Sequence, residues 1–206
     1  MKRFTFLAMT MLCATLVCNA QDIRFAKELK FQDILASRQG DARTYILLGG
    51  GWLRTIRSGD AGQFISTWLA EHPSATIKPI SRMFMTNTRS KRTDEMVYIW
   101  IEDGEMSLNV DLVRAGVFPG AVMSDMVDNL NGLNELLKDP KLADTRAQVE
   151  KERAKAPQDT TERLMSDDEY KERMRRIGPA EAEAREKKRG IWSDSMKEER
   201  QAVGYP

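Results

Sequence analysis

The stretch that decides the fold runs from Val97 to Gly116 and reads VYIWIEDGEMSLNVDLVRAG. Its first five residues are β-branched or aromatic, which is typical of a buried strand. Asp103-Gly104 then predicts a tight turn, because both residue types tolerate the backbone that such turns need. After the turn, Asn109 can satisfy backbone groups, and Leu112 and Val113 can bury a short helix against the sheet. The stretch therefore predicts a strand, a turn and a helix that ends at its last glycine.

Upstream of this stretch the pattern is short and mixed. Alternating or β-rich runs predict strands, and apolar residues spaced by one helical turn predict a helix that stops at His72-Pro73. A glycine triplet, Gly49-Gly50-Gly51, ends the first run and predicts a turn. The predicted strands cover 44–48, 52–57 and 75–85, and the predicted helix covers 61–70.

Downstream of Pro119 the chain becomes charged and its periodicity helical. Ser166 and Glu169 have the spacing of a capping box, which predicts the start of a helix. Gly178-Pro179 is predicted to break that helix, since proline lacks the backbone N–H that a helix interior uses. The predicted helices cover 123–138, 142–156, 166–177 and 180–189.

Two segments together resemble the staphylococcal-nuclease-like, or thermonuclease, domain family. The first, 97–116, is similar to the family's strand, Asp-Gly turn, asparagine and helix reading Leu-Val-Arg-x-Gly. The second, 180–193, reads AEAEAREKKRGIWS and resembles the family's last helix with its Gly-hydrophobic-Trp end. The resemblance implies an α+β fold: a five-stranded OB-fold β-barrel of the thermonuclease-like type, with C-terminal helices and a helical insertion at about 119–179.

The resemblance also implies where a phosphodiesterase site would lie. Family members use calcium held by carboxylates, a glutamate that activates water and two arginines that neutralise phosphate charge. The counterparts in this chain are Asp41 and Asp60 for the metal and Arg54 and Arg92 for catalysis. The glutamate has no equivalent, and the place of the second arginine before the strand at Val97 is taken by Asp94-Glu95-Met96.

The N-terminal twenty residues have the order of a secretion signal. Lys2 and Arg3 precede an apolar run from Phe4 to Val17, which closes on Cys18-Asn19-Ala20. Cleavage is expected after Ala20, so that residues 21–206 form the exported domain, periplasmic or extracellular. Because the apolar run is shorter than the roughly 20 residues of a membrane-spanning helix, no permanent membrane span is expected in the mature chain.

The amino-acid composition limits the kinds of binding site that we expect in this chain. Lys plus Arg number 32 and Asp plus Glu 31, giving a net charge of +1, so nucleic acid is expected to bind weakly or not at all. The one histidine excludes a multi-histidine metal site. The first hypothesis is a non-catalytic interaction module that needs no cofactor and contacts a protein partner through its charged helical insertion. The alternative is a divergent Ca²⁺-dependent nuclease that cleaves DNA or RNA.

Overall fold

The computed structural model describes residues 43–50, 61–86, 93–120, 124–155 and 160–202. Within these ranges the chain forms a mixed five-stranded sheet and six α-helices, so the predicted α+β class is confirmed. The elements in chain order are β1 Arg43–Leu47, α1 Ala61–Glu71, β2 Thr76–Thr86, β3 Thr93–Asp103, β4 Met106–Ser107, α2 Leu108–Arg114, α3 Met126–Leu136, α4 Ala143–Lys155, β5 Thr160–Arg163, α5 Asp167–Glu186 and α6 Lys197–Ala202.

Strand β3, which contains the β-rich start of the segment 97–116, lies between two other strands, as its composition predicts. Strand order is β1-β3-β2-β5, with β4 paired to the end of β3. β1 runs parallel to β3, whereas β2 is antiparallel to both β3 and β5. Ile99, Trp100 and Ile101 of β3 are fully buried, because the strand has a neighbour on each side and helices pack over the sheet. Gly104 makes the predicted turn with a positive φ of 58°.

Helices α1, α2 and α5 complete the core. The apolar face of α1 buries Ile65, Trp68 and Leu69, as the helical spacing of these residues predicts. α2 packs against α1, β3 and α5, and its Leu112 and Val113 are fully buried. Among the described residues, no helix is both long and apolar enough to cross a membrane.

Asn109 is a buried polar junction between β1, β3 and α2. Its side-chain oxygen accepts from the N–H of Ile101 at 2.9 Å, and its Nδ2 donates to the carbonyls of Leu48 at 2.9 Å and Ile99 at 3.1 Å. The side chain therefore satisfies backbone groups where β1 ends and where β3 approaches its turn. The role that the sequence predicts for Asn109 is confirmed.

The two family-like segments meet at a pair of glycines. Gly116 ends α2 with φ +71°, and Gly190 begins a 3₁₀ turn, Gly190–Trp192, with φ +50°. The N–H of Ile191 donates to the Gly116 carbonyl at 2.8 Å. Trp192 follows directly and is 5% exposed under the guanidinium of Arg185, 3.8 Å from its ring centre, so its predicted burial is confirmed.

Helix α5 corrects one prediction from the sequence. Gly178-Pro179 does not break the helix, which continues from Asp167 to Glu186. Gly178 has no Cβ to collide with the proline ring, so it keeps the helical backbone that other residues before proline avoid. In a regular helix, the residue at position 179 would donate its N–H to the carbonyl of Arg175, but proline has no N–H. Arg175 and Pro179 are both exposed, so water can donate to that carbonyl instead. The buried residues Ile177, Ala180 and Ala184 keep one apolar stripe across the proline.

Strand β5 is a second correction, because the segment predicted as a helical insertion also contributes to the sheet. Residues 160–163 read Thr-Thr-Glu-Arg and pair with β2 from Ser81↔Arg163 to Phe84↔Thr160. This short polar segment lacks the apolar alternation that identifies a strand in a sequence. Backbone pairing with β2 determines its conformation.

Replacing Ser166 by alanine should lower the free energy of unfolding by about 1 kcal/mol, the usual cost of losing an N-cap side chain. Ser166 accepts from the N–H of Glu169, and the Glu169 carboxylate accepts from the N–H of Ser166, both at 3.2 Å. The Ser166 N–H has the largest effect in holding the pKa of Glu169 below its ordinary value, and the Ser166 hydroxyl, which donates to the same carboxylate at 3.1 Å, acts in the same direction. Urea denaturation measures the change.

Ser66→Ala is the matched control for the Ser166 substitution. Ser66 is exposed within α1 and donates only to the carbonyl of Gly62 four residues earlier. Its replacement should change the free energy of unfolding by less than about 0.5 kcal/mol. Equal effects of the two substitutions would show that the capping box at Ser166 contributes nothing specific.

Candidate functional site

The site residues predicted from the sequence lie outside the described residues. These are Asp41 and Asp60, predicted as metal ligands, and Arg54 and Arg92, predicted as catalytic. The predicted secretion signal at 1–20 and the predicted strand at 52–57 also lie outside them. These assignments stay predictions. The described residues do include Asp94-Glu95-Met96, the step where the resemblance implies the second arginine.

Glu95 belongs to a row of alternating charges that crosses four neighbouring strands. The row, here called the charge ladder, consists of Arg43 on β1, Glu95 on β3, Arg82 on β2 and Glu162 on β5. Arg43 Nε lies 2.6 Å from Glu95 Oε2, and Arg82 Nη1 lies 3.7 Å from Glu95 Oε1. Arg82 Nη2 in turn lies 2.7 Å from Glu162 Oε2. Strand order produces this row, since the four residues come from distant parts of the sequence.

The charge ladder is electrically balanced. It contains two guanidinium groups and two carboxylates, and the Glu95 side chain is only 12% exposed. A phosphate that approached Arg43 or Arg82 would have to compete with a carboxylate already in contact. Glu95 itself would repel the phosphate. The charge ladder is therefore better suited to linking neighbouring strands than to binding phosphate.

A calcium ion does not fit the described part of this region. Calcium needs six to eight oxygen ligands, several of them from carboxylates. Each oxygen of Glu95 already contacts a guanidinium group, and the described residues contain no group of three or more His, Cys, Asp or Glu side chains that could hold a metal.

A second charged cluster attaches β5 and α3 to the core. Arg163 Nη2 lies 2.9 Å from Asp128 and 3.2 Å from Asp125, whose side chain is fully buried. The Arg163 guanidinium lies 3.7 Å from the centre of the Tyr170 ring. Burial raises the pKa of the Tyr170 hydroxyl far above its usual range, and the Asp125 charge adds to this effect. Because these groups contact each other and are largely enclosed, the cluster fixes the strand and helices to one another.

A groove lies between α1, α2 and the turn from β3 to β4. Its volume is about 470 Å³, within the range of ligand sites. Trp68 lies in it, with His72 stacked at 4.0 Å between ring centres and the indole N–H donating to Asp111 at 2.9 Å. The described residues lining it are Phe64, Trp68, Glu71, His72, Met106, Asp111, Arg114, Ala115 and Arg189.

The two arginines that line this groove are paired with carboxylates. Arg114 contacts Asp111 at 2.6 Å and Glu183 at 3.4 Å. Arg189 and Lys187 also contact Glu183, at 3.1 and 2.8 Å. The Lys187 ammonium has the largest effect in holding the pKa of Glu183 below its ordinary value, and the two guanidinium groups act in the same direction. With Glu71, which also lines the groove, three carboxylates therefore accompany the three cations Arg114, Lys187 and Arg189.

Sequence patterns alone do not reveal this groove. They predict Trp68 only as part of a helix face, and Arg189 only as part of a basic helical tract. A sequence signal does exist, because Arg114 lies two residues before Gly116 and Arg189 lies directly before Gly190, and each glycine belongs to one of the two family-like motifs. The contact between those two glycines brings the arginines together.

Comparison of the chain with protein-family models, with curated proteins and with solved structures gives no match.

Proposed function

We propose that the chain is an exported thermonuclease-like protein whose domain acts as a non-catalytic interaction module. The proposal combines the secretion-signal pattern at 1–20 with the resemblance of segments 97–116 and 180–193. The contact of these two segments at Gly116 and Gly190 supports it, since the motifs then form one structural unit. A protein partner is expected to bind the mature chain, and no cofactor is required.

We further propose that the sheet belongs to an OB barrel of the thermonuclease type. The mixed sheet, with β1 parallel to β3 and β2 antiparallel to it, supports this assignment. The irregular register between Pro79 and Ser81 adds to the support, because bulges bend strands as barrels require. Residues from about 119 to 179 are the proposed insertion, to which β5 contributes a strand.

The pairing of Glu95 is the observation that carries the non-catalytic assignment. A nuclease must present unpaired positive charge to the phosphorane-like transition state. Glu95 instead lies in the three-residue step 94–96 where an arginine is implied, and it contacts both Arg43 and Arg82. The charges of Arg43 and Arg82 are therefore balanced within the sheet, which supports the non-catalytic assignment.

Purified residues 21–206 should not cleave single-stranded DNA or RNA in calcium-containing buffer, and should bind oligonucleotides weakly at about 150 mM salt. Fluorescent-substrate cleavage and anisotropy titration measure the two properties. Calcium-dependent cleavage that is lost in Asp41→Ala or Arg54→Ala would overturn the proposal in favour of a divergent nuclease. Sub-micromolar oligonucleotide binding with a steep salt dependence would contradict the weak-binding part.

Glu95→Gln tests the role of the charge ladder directly. Removing this carboxylate charge leaves Arg43 and Arg82 with less compensation, so oligonucleotide affinity should rise about threefold or more at low salt. Glu105→Gln is the matched control, because Glu105 is exposed in the turn before β4. Equal changes in the two variants would mean that net charge alone, and not the ladder, limits binding.

A further inference from the structure

Asn131-Gly132 is the one Asn-Gly pair in the sequence, and it lies in the middle of helix α3. Packing gives no reason for the glycine, because a Cβ at residue 132 would meet no atom within 4 Å beyond its own helix backbone and chain neighbours. Its φ is not positive, so the backbone does not require glycine either. Glycine in a helix interior is less stable than alanine. The folded structure therefore does not explain why glycine follows Asn131.

The second half of α3 has little tertiary support. All six residues from 131 to 136 are exposed, although a helix that packs on a protein normally buries one side of each turn. The first turn is held by the contact of Asp128 with Arg163, and burial resumes only at Leu137. A helix of 11 residues is also too short to be stable alone, since about 12 to 15 residues are needed even in favourable sequences. This half of α3 is therefore expected to open far more often than the whole domain unfolds.

An Asn-Gly pair can modify itself when its backbone is free to move. The backbone nitrogen of the glycine gives up its proton and attacks Cγ of the asparagine, and the new C–N bond closes a succinimide ring. The side-chain nitrogen takes up the proton and leaves as ammonia. Water then opens the ring at either carbonyl, which gives aspartate or isoaspartate. Glycine favours the attack because it has no side chain in the way and reaches backbone conformations that other residues avoid.

The other asparagines of α3 differ from Asn131 in the residue that follows them. Asn129 precedes a leucine and Asn134 precedes a glutamate, so a side chain obstructs the attacking nitrogen in both cases. The amide of Asn129 is also held by Ser124, whose hydroxyl donates to its Oδ1 at 2.8 Å and whose carbonyl accepts from its Nδ2 at 3.3 Å. These two asparagines are therefore internal controls within the same helix.

We propose that Asn131-Gly132 is a self-modification site, at which the backbone nitrogen of Gly132 displaces ammonia from the Asn131 side chain when the second half of α3 opens. The products are aspartate and isoaspartate at residue 131. Isoaspartate continues the chain through its side-chain carbonyl, so it adds one carbon to the backbone and interrupts the helical repeat. The reaction thereby makes the opening of this half of α3 permanent. It requires no ligand and is independent of the proposed function.

Purified residues 21–206 should convert Asn131 during days of incubation at mildly alkaline pH, as measured by tandem mass spectrometry of proteolytic peptides. Asn129 and Asn134 should remain asparagine. Conversion should accelerate as the pH rises, because the attacking nitrogen must lose its proton, and the helical circular-dichroism signal should fall as isoaspartate accumulates. If Asn131 stays intact while the urea-unfolded chain is modified there, the proposal is wrong. Equal conversion of all three asparagines would also overturn it.

Gly132→Ala should slow the conversion of Asn131 about fivefold or more, because alanine makes the open state of the helix rarer and obstructs the attack. Gly62→Ala is the matched control, since Gly62 also lies in a helix, α1, and a Cβ added there would meet no atom within 4 Å. This control should leave the rate at Asn131 unchanged. An unchanged rate in Gly132→Ala, or an equal decrease in both variants, would reject the proposal.

Discussion

Replacing Asn109 by alanine should lower the free energy of unfolding by about 3 kcal/mol. The side chain is 1% exposed and bridges the end of β1 to β3. Alanine would leave the N–H of Ile101 and the carbonyl of Leu48 without their side-chain partner. Water could not easily replace it, because Leu48 and Ile101 are themselves buried. Chemical denaturation followed by circular dichroism measures the loss.

Asn131→Ala is the matched control for this substitution. Asn131 lies on the exposed face of α3, and its replacement should change stability by less than about 0.5 kcal/mol. If Asn109→Ala were equally harmless, the buried hydrogen bonds of Asn109 would not contribute to the stability of the sheet.

Asn109→Asp should show a characteristic pH dependence. The carboxylate would be buried and would face the carbonyl oxygens of Leu48 and Ile99, so its pKa in the folded protein should lie above the ordinary value of about 4. The folded state then binds the proton more tightly than the unfolded state. Relative to wild type, the variant should be most stable below about pH 4 and lose stability as the pH rises through the raised pKa. A stability difference that does not vary with pH would contradict the predicted rise in the pKa of the carboxyl group at position 109.

Gly190→Ala should also destabilise the protein by about 3 kcal/mol or more. A Cβ at residue 190 would lie 2.2 Å from the carbonyl oxygen of Gly116, and the φ of +50° is already unfavourable for alanine. The obstacle is backbone, so no side chain can rotate out of the way. Gly116→Ala should have a similar effect, since its Cβ would lie 2.1 Å from the carbonyl oxygen of Arg189.

Gly132→Ala provides the control for both glycine substitutions. Gly132 is in the interior of α3, and a Cβ added there would have no atom within 4 Å beyond its own helix backbone and chain neighbours. Alanine should therefore stabilise the protein by about 0.5–1 kcal/mol. Melting temperatures of the three variants compare the effects. A Gly190→Ala protein as stable as wild type would show that the two glycines do not meet closely.

Much of the fold could be predicted from local patterns. The segment 97–116 specifies its strand, turn and helix, because its β-branched residues, its Asp-Gly pair and its helical apolar spacing all agree. The capping box at Ser166 likewise determines where α5 begins. In each case the physical cause lies within a few residues of the element itself.

The remaining features depend on residues that are distant in the sequence. Pro179 predicts the end of a helix, but the buried stripe through Ile177 and Ala180 and the missing Cβ of Gly178 allow α5 to continue. β5 has no strand pattern of its own and forms by pairing with β2. The charge of Glu95 is visible in the sequence, whereas its contacts with arginines of β1 and β2 follow from sheet register. The groove is likewise assembled by tertiary packing.

The meeting of Gly116 and Gly190 also affects the order in which the chain can fold. Beside it, Arg189 Nη1 donates to the carbonyl of Arg114 at 3.1 Å across 75 positions of sequence. In the unit from α1 to α2, strand β2 pairs with the next strand in the sequence, β3, so this unit can form before the longer loop closes. A contact made after the transition state influences the unfolding rate more than the folding rate. We therefore expect the lifetime of the native state, more than the speed of its formation, to depend on this pair of glycines.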